Sequence, residues 1–488
     1  MTENEGIRER GKEEMQAPVA EEVVNPYALA KSSKKLLTLI GIYVCLIGTI
    51  IQSSTASTLL PIAAAQIGGM DIYSLANNLS GVVGVVAMPL WGYIVAKNPA
   101  AKKIMFVLSM ICGIVCLCGR AVSPNMFIFI VFSLFWGFPS AGLYVVGYSM
   151  VRDMYDARSA GTYLGICATM QSIGMLVGPV LGGVVMDVWS WQAMCVIMAI
   201  IIAIGAVLVF VGVSVTKEQA AAFATAHGSF DVNGTLAVVV FLGCLICGLS
   251  LGGSFLRFGT MMSNIVFVVA ALALVWLIVV IMRKKDNAVI PLSALKNRNT
   301  VVFTFGSFFS MFSNMAVFFF LPMYVLNVMN CSATQAGLTI TMMSIAGLFM
   351  GPIYGRMIGK AANAKGVLAF GSVLRIVIAI VLMLYCAPDA NIIILCVIMF
   401  IAGFYNTTYG VVFSAGPQVQ LPESVRVQGN SIIQLGQNFG GSVGTAIYSI
   451  VIATLGVVQG MTVALIIAAV TAAVALVCAL LLKKLPQK

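Results

Sequence analysis

The chain has 488 residues, of which 60% are hydrophobic and 9% charged, and its mean hydropathy is +1.04. A soluble domain needs about a quarter of its residues charged to cover its surface, so a water-soluble globule is excluded. The net charge of +11 does not signal a nucleic-acid partner, because the basic residues stand in short loops between apolar runs, where they set membrane topology.

Those runs are about 20 residues long, the length that crosses a hydrocarbon core of ~30 Å as a helix. Alternating strands of the membrane-barrel type are absent, and lipid offers open backbone no partners, which leaves helices. The first 35 residues come before any apolar run. They carry Glu3, Glu5, Glu9, Glu13, Glu14, Glu21 and Glu22 and read as a disordered tail, with no signal peptide. Fourteen spans then follow, near 36–58, 73–96, 103–121, 126–150, 160–186, 192–213, 235–255, 262–282, 300–325, 334–358, 366–386, 391–414, 430–455 and 459–482.

Charge tests this count. With the N-terminus inside, the inner loops hold Lys97, Lys102, Lys103, Arg152, Arg158, Arg283, Lys284, Lys285, Arg356, Lys360 and Lys365 among others, and the outer loops hold only Arg120 and Arg257. Dropping any one span scrambles that asymmetry, so both termini are expected in the cytoplasm of a multi-pass protein of the cell (inner) membrane.

An internal repeat organises the spans. Pro89–Lys97 reads PLWGYIVAK and Pro352–Lys360 reads PIYGRMIGK; Gly174, Gly178 and Gly182 recur as Gly436, Gly440 and Gly444 at nearly the same offset. The chain therefore reads as a duplication. It comprises a tail over 1–35, a six-helix half over 36–213, an inserted hairpin with its links over 214–298, a second six-helix half over 299–482, and a short tail over 483–488. Duplicated halves holding a solute between them are the structural basis of alternating access.

At this point the sequence resembles the major facilitator superfamily, in its fourteen-helix drug:proton antiporter branch. GMLVGPVLGG over Gly174–Gly183 is similar to the antiporter signature of the fifth helix, and Ser190-Trp191, Phe230-Asp231 to Gly234, and Ile290-Pro291-Leu292 follow in that branch's order. The resemblance implies an all-α fold of two six-helix halves with a two-helix insertion, and efflux coupled to protons. Three departures each remove charge: Ala96 stands in the loop that keeps Gly92 and Lys97, Ser133 stands before Gly137, and Gln52 stands in the first helix.

The glycines at i, i+4 and i+8 leave a helix face bare for close approach, and Pro179 kinks that helix. Gly174, Gly178, Pro179, Gly182, Gly183 and Gly440, with Gly92, Lys97, Gly355 and Arg356 in the repeated loops, are thus candidates for packing and gating alike. No carboxylate falls at mid-membrane: Asp153, Asp156, Asp231, Asp286 and Glu423 lie at the inner side, Asp71, Asp187 and Asp389 at the outer, and His227, the only histidine, lies in an inner loop. A proton-coupled carrier needs a titrating group there, so the coupling partner, protons or another ion, stays open. Asp187 comes nearest to the role but reads more readily as a plain interfacial residue.

Arg375 is the one ionisable residue placed inside a span. It either binds an anionic solute or snorkels to the inner surface. Gln52, Tyr144, Tyr148, Asn314, Asn406, Gln434 and Asn438 are candidates to line a cavity, or to tie helices together. Such a lining suits amphipathic organic molecules. The twelve cysteines include one Cys-x-x-Cys pair, Cys244 and Cys247, set among Leu, Ile and Gly with no polar partners for a metal. Neither a phosphate-binding loop nor a catalytic cluster is present.

The expectation is a monomeric secondary transporter of hydrophobic or amphipathic solutes. It is not an enzyme, it has no cofactor or metal, and it acts as a multidrug-type exporter. The alternatives are an uptake carrier or facilitator for an organic anion or metabolite, and a membrane receptor or structural protein.

Overall fold

A computed structural model describes residues 27, 29–70, 72–98, 101–155, 157–214, 231–250, 259–285, 288, 290, 292–361, 364–421 and 423–483. The greater part of the expected N-terminal tail, His227, Asp71, Asp156, Asp286 and the last five residues lie outside the described residues. Every regular element among the described residues is helical. The long ones are α1 (Ser32–Ile67), α2 (Ser74–Lys97), α3 (Lys102–Ala121), α4 (Met126–Met154), α5 (Ala157–Val188), α6 (Trp191–Val211), α7 (Val232–Ser250), α8 (Met261–Lys284), α9 (Arg298–Asn327), α10 (Ala333–Ala361), α11 (Ala364–Tyr385), α12 (Ile392–Gln420), α13 (Glu423–Leu455) and α14 (Val457–Leu481).

Twelve of these are long and apolar enough to cross a membrane. The two beyond that count are α2, which carries Asn77, Asn78 and Ser80, and α5, in which only Ile173–Val188 is an apolar stretch. Polar and glycine-rich composition lowers both below a pure hydropathy criterion.

Local chemistry sets the helix starts. Asn125, Ser190, Asn297 and Asn391 each accept a hydrogen bond from a first-turn backbone N–H of α4, α6, α9 and α12, at 3.0, 3.1, 3.1 and 2.8 Å, which satisfies donors that a helix start leaves open. Gly456, at φ 79°, joins α13 to α14 in a single residue, a conformation glycine adopts without steric cost. Two long helices are irregular: α4 passes through a π-helical turn at Leu143–Gly147, and α9 breaks at Phe319 and Phe320 ahead of Pro322.

The repeat reappears as packing. In the first set, α1 packs on α5 and α6, α3 on α6, and α4 on α2 and α3. In the last six helices α9 packs on α13 and α14, α11 on α14, and α12 on α10 and α11. Two seams join the sets, α5 against α10 and α13 against α2, and these are equivalent positions under the repeat. The hairpin of α7 and α8 lies outside this arrangement. It packs α7 on α2 and α13 through Val82, Leu79, Phe241 and Phe439, so it covers the second seam.

Asp231 holds the hairpin. It caps α7 through the Gly234 N–H at 2.9 Å and pairs with Lys284 of α8 at 2.8 Å.

Candidate functional site

The glycine signature packs the two helix sets internally. A Cβ on Gly174, Gly178 or Gly182 would meet Ile50, Ser54 and Thr55 of α1 at 2.7, 2.1 and 2.1 Å; on Gly440 or Gly444 it would meet the Phe308 and Phe312 carbonyl oxygens of α9 at 2.1 and 2.8 Å. Bare glycine faces thus let α5 lie against α1 and α13 against α9. Hydroxyls from α1 bond across this close contact: Ser54 and Thr55 donate to the Gly174 and Gly178 carbonyls at 3.3 and 3.0 Å. Gly183 faces the other way, towards Ala333 and Thr334, and Gly337 of α10 lies under the Pro179 carbonyl. One motif therefore serves both the fold of its own set and the seam between sets.

Among the described residues, hydrogen bonds across the seams gather towards the end of the bundle away from the termini. Asp187, at the end of α5, accepts from the Ala333 and Thr334 backbone N–H groups and the Thr334 hydroxyl, at 2.9, 2.8 and 2.5 Å, capping α10 of the other set. Deeper in that seam Thr341 donates to the Leu176 carbonyl at 2.9 Å. On the second seam Ser74 and Ser449 are hydrogen-bonded at 2.9 Å, and Tyr73 donates to Met323 and stacks on Phe319. At the termini end, polar side chains bond within their own set: Lys102 to Asp153, Lys103 to Ser214, Arg298 to the Leu481 carbonyl and Lys365 to the Leu480 carbonyl.

Between the sets lies a cavity of about 250 Å³. Its walls come from α1 (Gln52, Ser53), α2 (Asn77, Ser80, Met88), α3 (Arg120), α4 (Ser133, Trp136, Ser140), α9 (Met311, Met315) and α13 (Gln437, Asn438, Ser442). It offers amides and hydroxyls beside thioethers and an indole, a surface for an amphipathic molecule. Gln52 is buried with its Oε1 unpaired, whereas Asn438 is exposed and donates to the Gln434 carbonyl at 2.9 Å.

Of the residues singled out in the sequence, Gln52 and Asn438 line this cavity. Asn314 donates to Asn406 at 3.0 Å and ties α9 to α12; Gln434 reaches the Phe413 carbonyl at 3.4 Å. Tyr144 and Tyr148 stack edge to face at 5.6 Å on the π turn of α4, and Gln171 of α5 donates to the Tyr148 hydroxyl. Arg375 is wholly buried. It donates from Nε to the Ser313 hydroxyl at 3.0 Å, and also to the Ser313 carbonyl and the Tyr405 hydroxyl, with its guanidinium 4.7 Å from the Tyr405 ring centre. That is a clamp of α9, α11 and α12 rather than a cavity wall. Gly92 and Gly355 face open space, Arg356 is exposed, and the side chain of Lys97 lies outside the described ones.

Sequence reasoning missed Arg120. It was expected in an outer loop, but it sits in the last turn of α3, buried and on the cavity wall. Its position at the very end of an apolar run was the available signal.

A model of the Major Facilitator Superfamily matches residues 42–445 and again 303–488. The chain belongs to the major facilitator superfamily. It is a membrane transporter, and its fold and family point away from an enzyme.

Among the superfamily's characterised proteins, it is similar to "Multidrug resistance protein 3" of Bacillus subtilis (strain 168), 24% identical over 86% of this chain and 80% of that one. It also resembles "Riboflavin transporter RibZ" of Clostridioides difficile (strain 630), 26% identical over 68% and 70%, and "Citrate exporter 1" of Yarrowia lipolytica, 24% identical over 84% and 60%. In fold it matches a crystal structure of nucleoside transporter NupG with a TM-score of 0.62 at 14% identity, covering 92% of this chain and 97% of that one.

Proposed function

We propose that this superfamily member is a multidrug-type exporter of amphipathic organic solutes. It works as a monomer of the cell membrane, with fourteen spans in a six, two, six arrangement over 36–213, 214–298 and 299–482 and both termini cytoplasmic. The cavity between the helix sets carries this reading, together with the latches that seal its far end on both equivalent seams. A carrier of this design binds its solute from one side and exchanges those latches for contacts at the other end. In this reading Gln52 and Asn438 meet the solute; Tyr144, Tyr148, Asn314, Asn406, Gln434 and Arg375 hold the helices around it; and Gly174, Gly178, Pro179, Gly182, Gly183 and Gly440 set the surfaces that rock. Gly92, Lys97, Gly355 and Arg356 act at the opposite gate.

The relatives named for multidrug resistance support export. A second reading, carriage of an organic anion or metabolite, is favoured by the riboflavin and citrate relatives and by the missing mid-membrane carboxylate. The test is flux of rhodamine 6G in proteoliposomes under an imposed pH gradient, then a sodium gradient. Export reading and ion coupling together predict dye movement that follows one gradient. Flux indifferent to both would identify a uniporter, and no flux of any dye tested would remove the multidrug reading.

A further inference from the structure

Arg120 is the one charged side chain among the described residues lining the cavity. It is 7% exposed, its Nε has no hydrogen-bond partner, and no carboxylate among the described residues pairs with it. Two aromatic side chains of α4 face the guanidinium instead: its central carbon is 5.6 Å from the Phe129 ring centre and 5.4 Å from that of Trp136. Trp136 itself lines the cavity, as does Ser133, so the group they support is on the cavity wall. Ring faces return only part of what desolvating a cation costs. A protein that needed Arg120 for structure alone would surround its donors with acceptors, as it does for Arg375.

We infer that Arg120 is the anchor for a carboxylate on the transported solute. A guanidinium offers parallel N–H donors whose spacing fits the two oxygens of a planar carboxylate. The apolar body of the solute would lie on Trp136, Met311 and Met315, and Gln52 and Asn438 would supply neutral hydrogen bonds. This refines the transport reading and rests on it, by adding an anionic group to the amphipathic solutes the cavity accepts. A lipid phosphate at the far surface is the competing partner. The low exposure of Arg120 and its place among cavity residues from six helices argue for a ligand inside.

The test uses the full chain with fluorescein and rhodamine 6G, which share a xanthene frame but are anionic and cationic. Binding is measured on the purified protein and flux in liposomes. Arg120→Gln is expected to lower fluorescein binding and flux by about ten-fold or more, the worth of a charge-assisted pair, while rhodamine 6G, a cation relieved of a like charge in the cavity, is carried at least as fast as by the wild type. Arg120→Lys, which keeps the charge and loses the fork, falls between. Rhodamine 6G flux in Arg120→Gln also shows that the variant folds.

The inference is overturned if Arg120→Gln binds fluorescein as the wild type does. It is also overturned if the wild type carries rhodamine 6G but neither binds nor carries fluorescein. Fluorescein binding that depends on Arg120 in a protein moving neither dye would keep the subsite and remove the transport reading.

Discussion

Arg375 and Arg120 are both buried in the bundle, one on α11 and one on α3, the equivalent helices of the two sets. Arg375 spends its donors on Ser313 and Tyr405, and its ring contact on the same tyrosine. Arg120 keeps the aromatic contacts, and its Nε has no acceptor among the described residues. A buried cation whose nitrogens each find an acceptor ties helices together; one with an unmatched nitrogen beside a cavity costs energy in the empty protein, and an arriving anion offsets that cost. The difference between them separates structure from recognition, in a chain where charge is scarce enough for each instance to count.

The largest effect expected is on Arg375. Arg375→Ala removes a fully buried side chain together with its ties and should cost about 3 kcal/mol or more, read as a fall in the thermal unfolding midpoint of the purified protein. Arg120→Gln should leave that midpoint unchanged or raised, since it removes an uncompensated charge. Equal losses in both variants would erase the contrast.

The glycine surfaces come next. Gly440→Ala forces a Cβ to within 2.1 Å of the Phe308 carbonyl oxygen. It should destabilise by about 1–3 kcal/mol and slow transport, while Gly355→Ala, with nothing within 4 Å of the added Cβ, should leave stability unchanged.

Smaller again is the latch. Asp187→Asn keeps the shape and loses the charge, weakening closure by about 1–2 kcal/mol. Spin labels at the exposed Val188 and Gln335 should then report a broader distribution with longer distances, and Ser74→Ala should move them less.

The smallest effect belongs to the hairpin. Asp231→Ala should cost about 1 kcal/mol, nearly all of it from the lost cap of α7, because Lys284 is 37% exposed and its ion pair is screened. Dye flux should not change.

The helices were legible because a run of apolar residues is both what lipid demands and what hydropathy measures. The ends of α3, α6 and α9 fall within two residues of the expected spans. α1 and α13 run further, α1 past Pro61 to Ile67 through a still largely apolar stretch, and α13 back to Glu423 through a polar flank. The repeat was legible as two short matches and returns as equivalent seams. The glycine signature reads as a set of bare helix faces, but which partner each glycine meets depends on the packed arrangement.

Polar side chains were harder to read. Asn314 and Asn406 find one another across 92 residues of chain, and Arg375 finds Ser313 across 62. Composition cannot tell such a tie from a cavity wall. Arg120 went unread because a charge at the end of an apolar run looks like a loop residue until the helix is seen to turn it inward. The latch at Asp187 depends on a neighbouring helix start 146 residues away.

Transport by this design requires movement of the two helix sets about the central cavity, with the far end opening and closing. Replacing Ser74 and Ser449, whose hydroxyls are 2.9 Å apart, with cysteines allows the second seam to be locked by oxidation. Solute flux in proteoliposomes should stop in the oxidised double variant and return on reduction, while each single variant under the same oxidation keeps transporting. Flux that continues at the wild-type rate with the cross-link fully formed would contradict it.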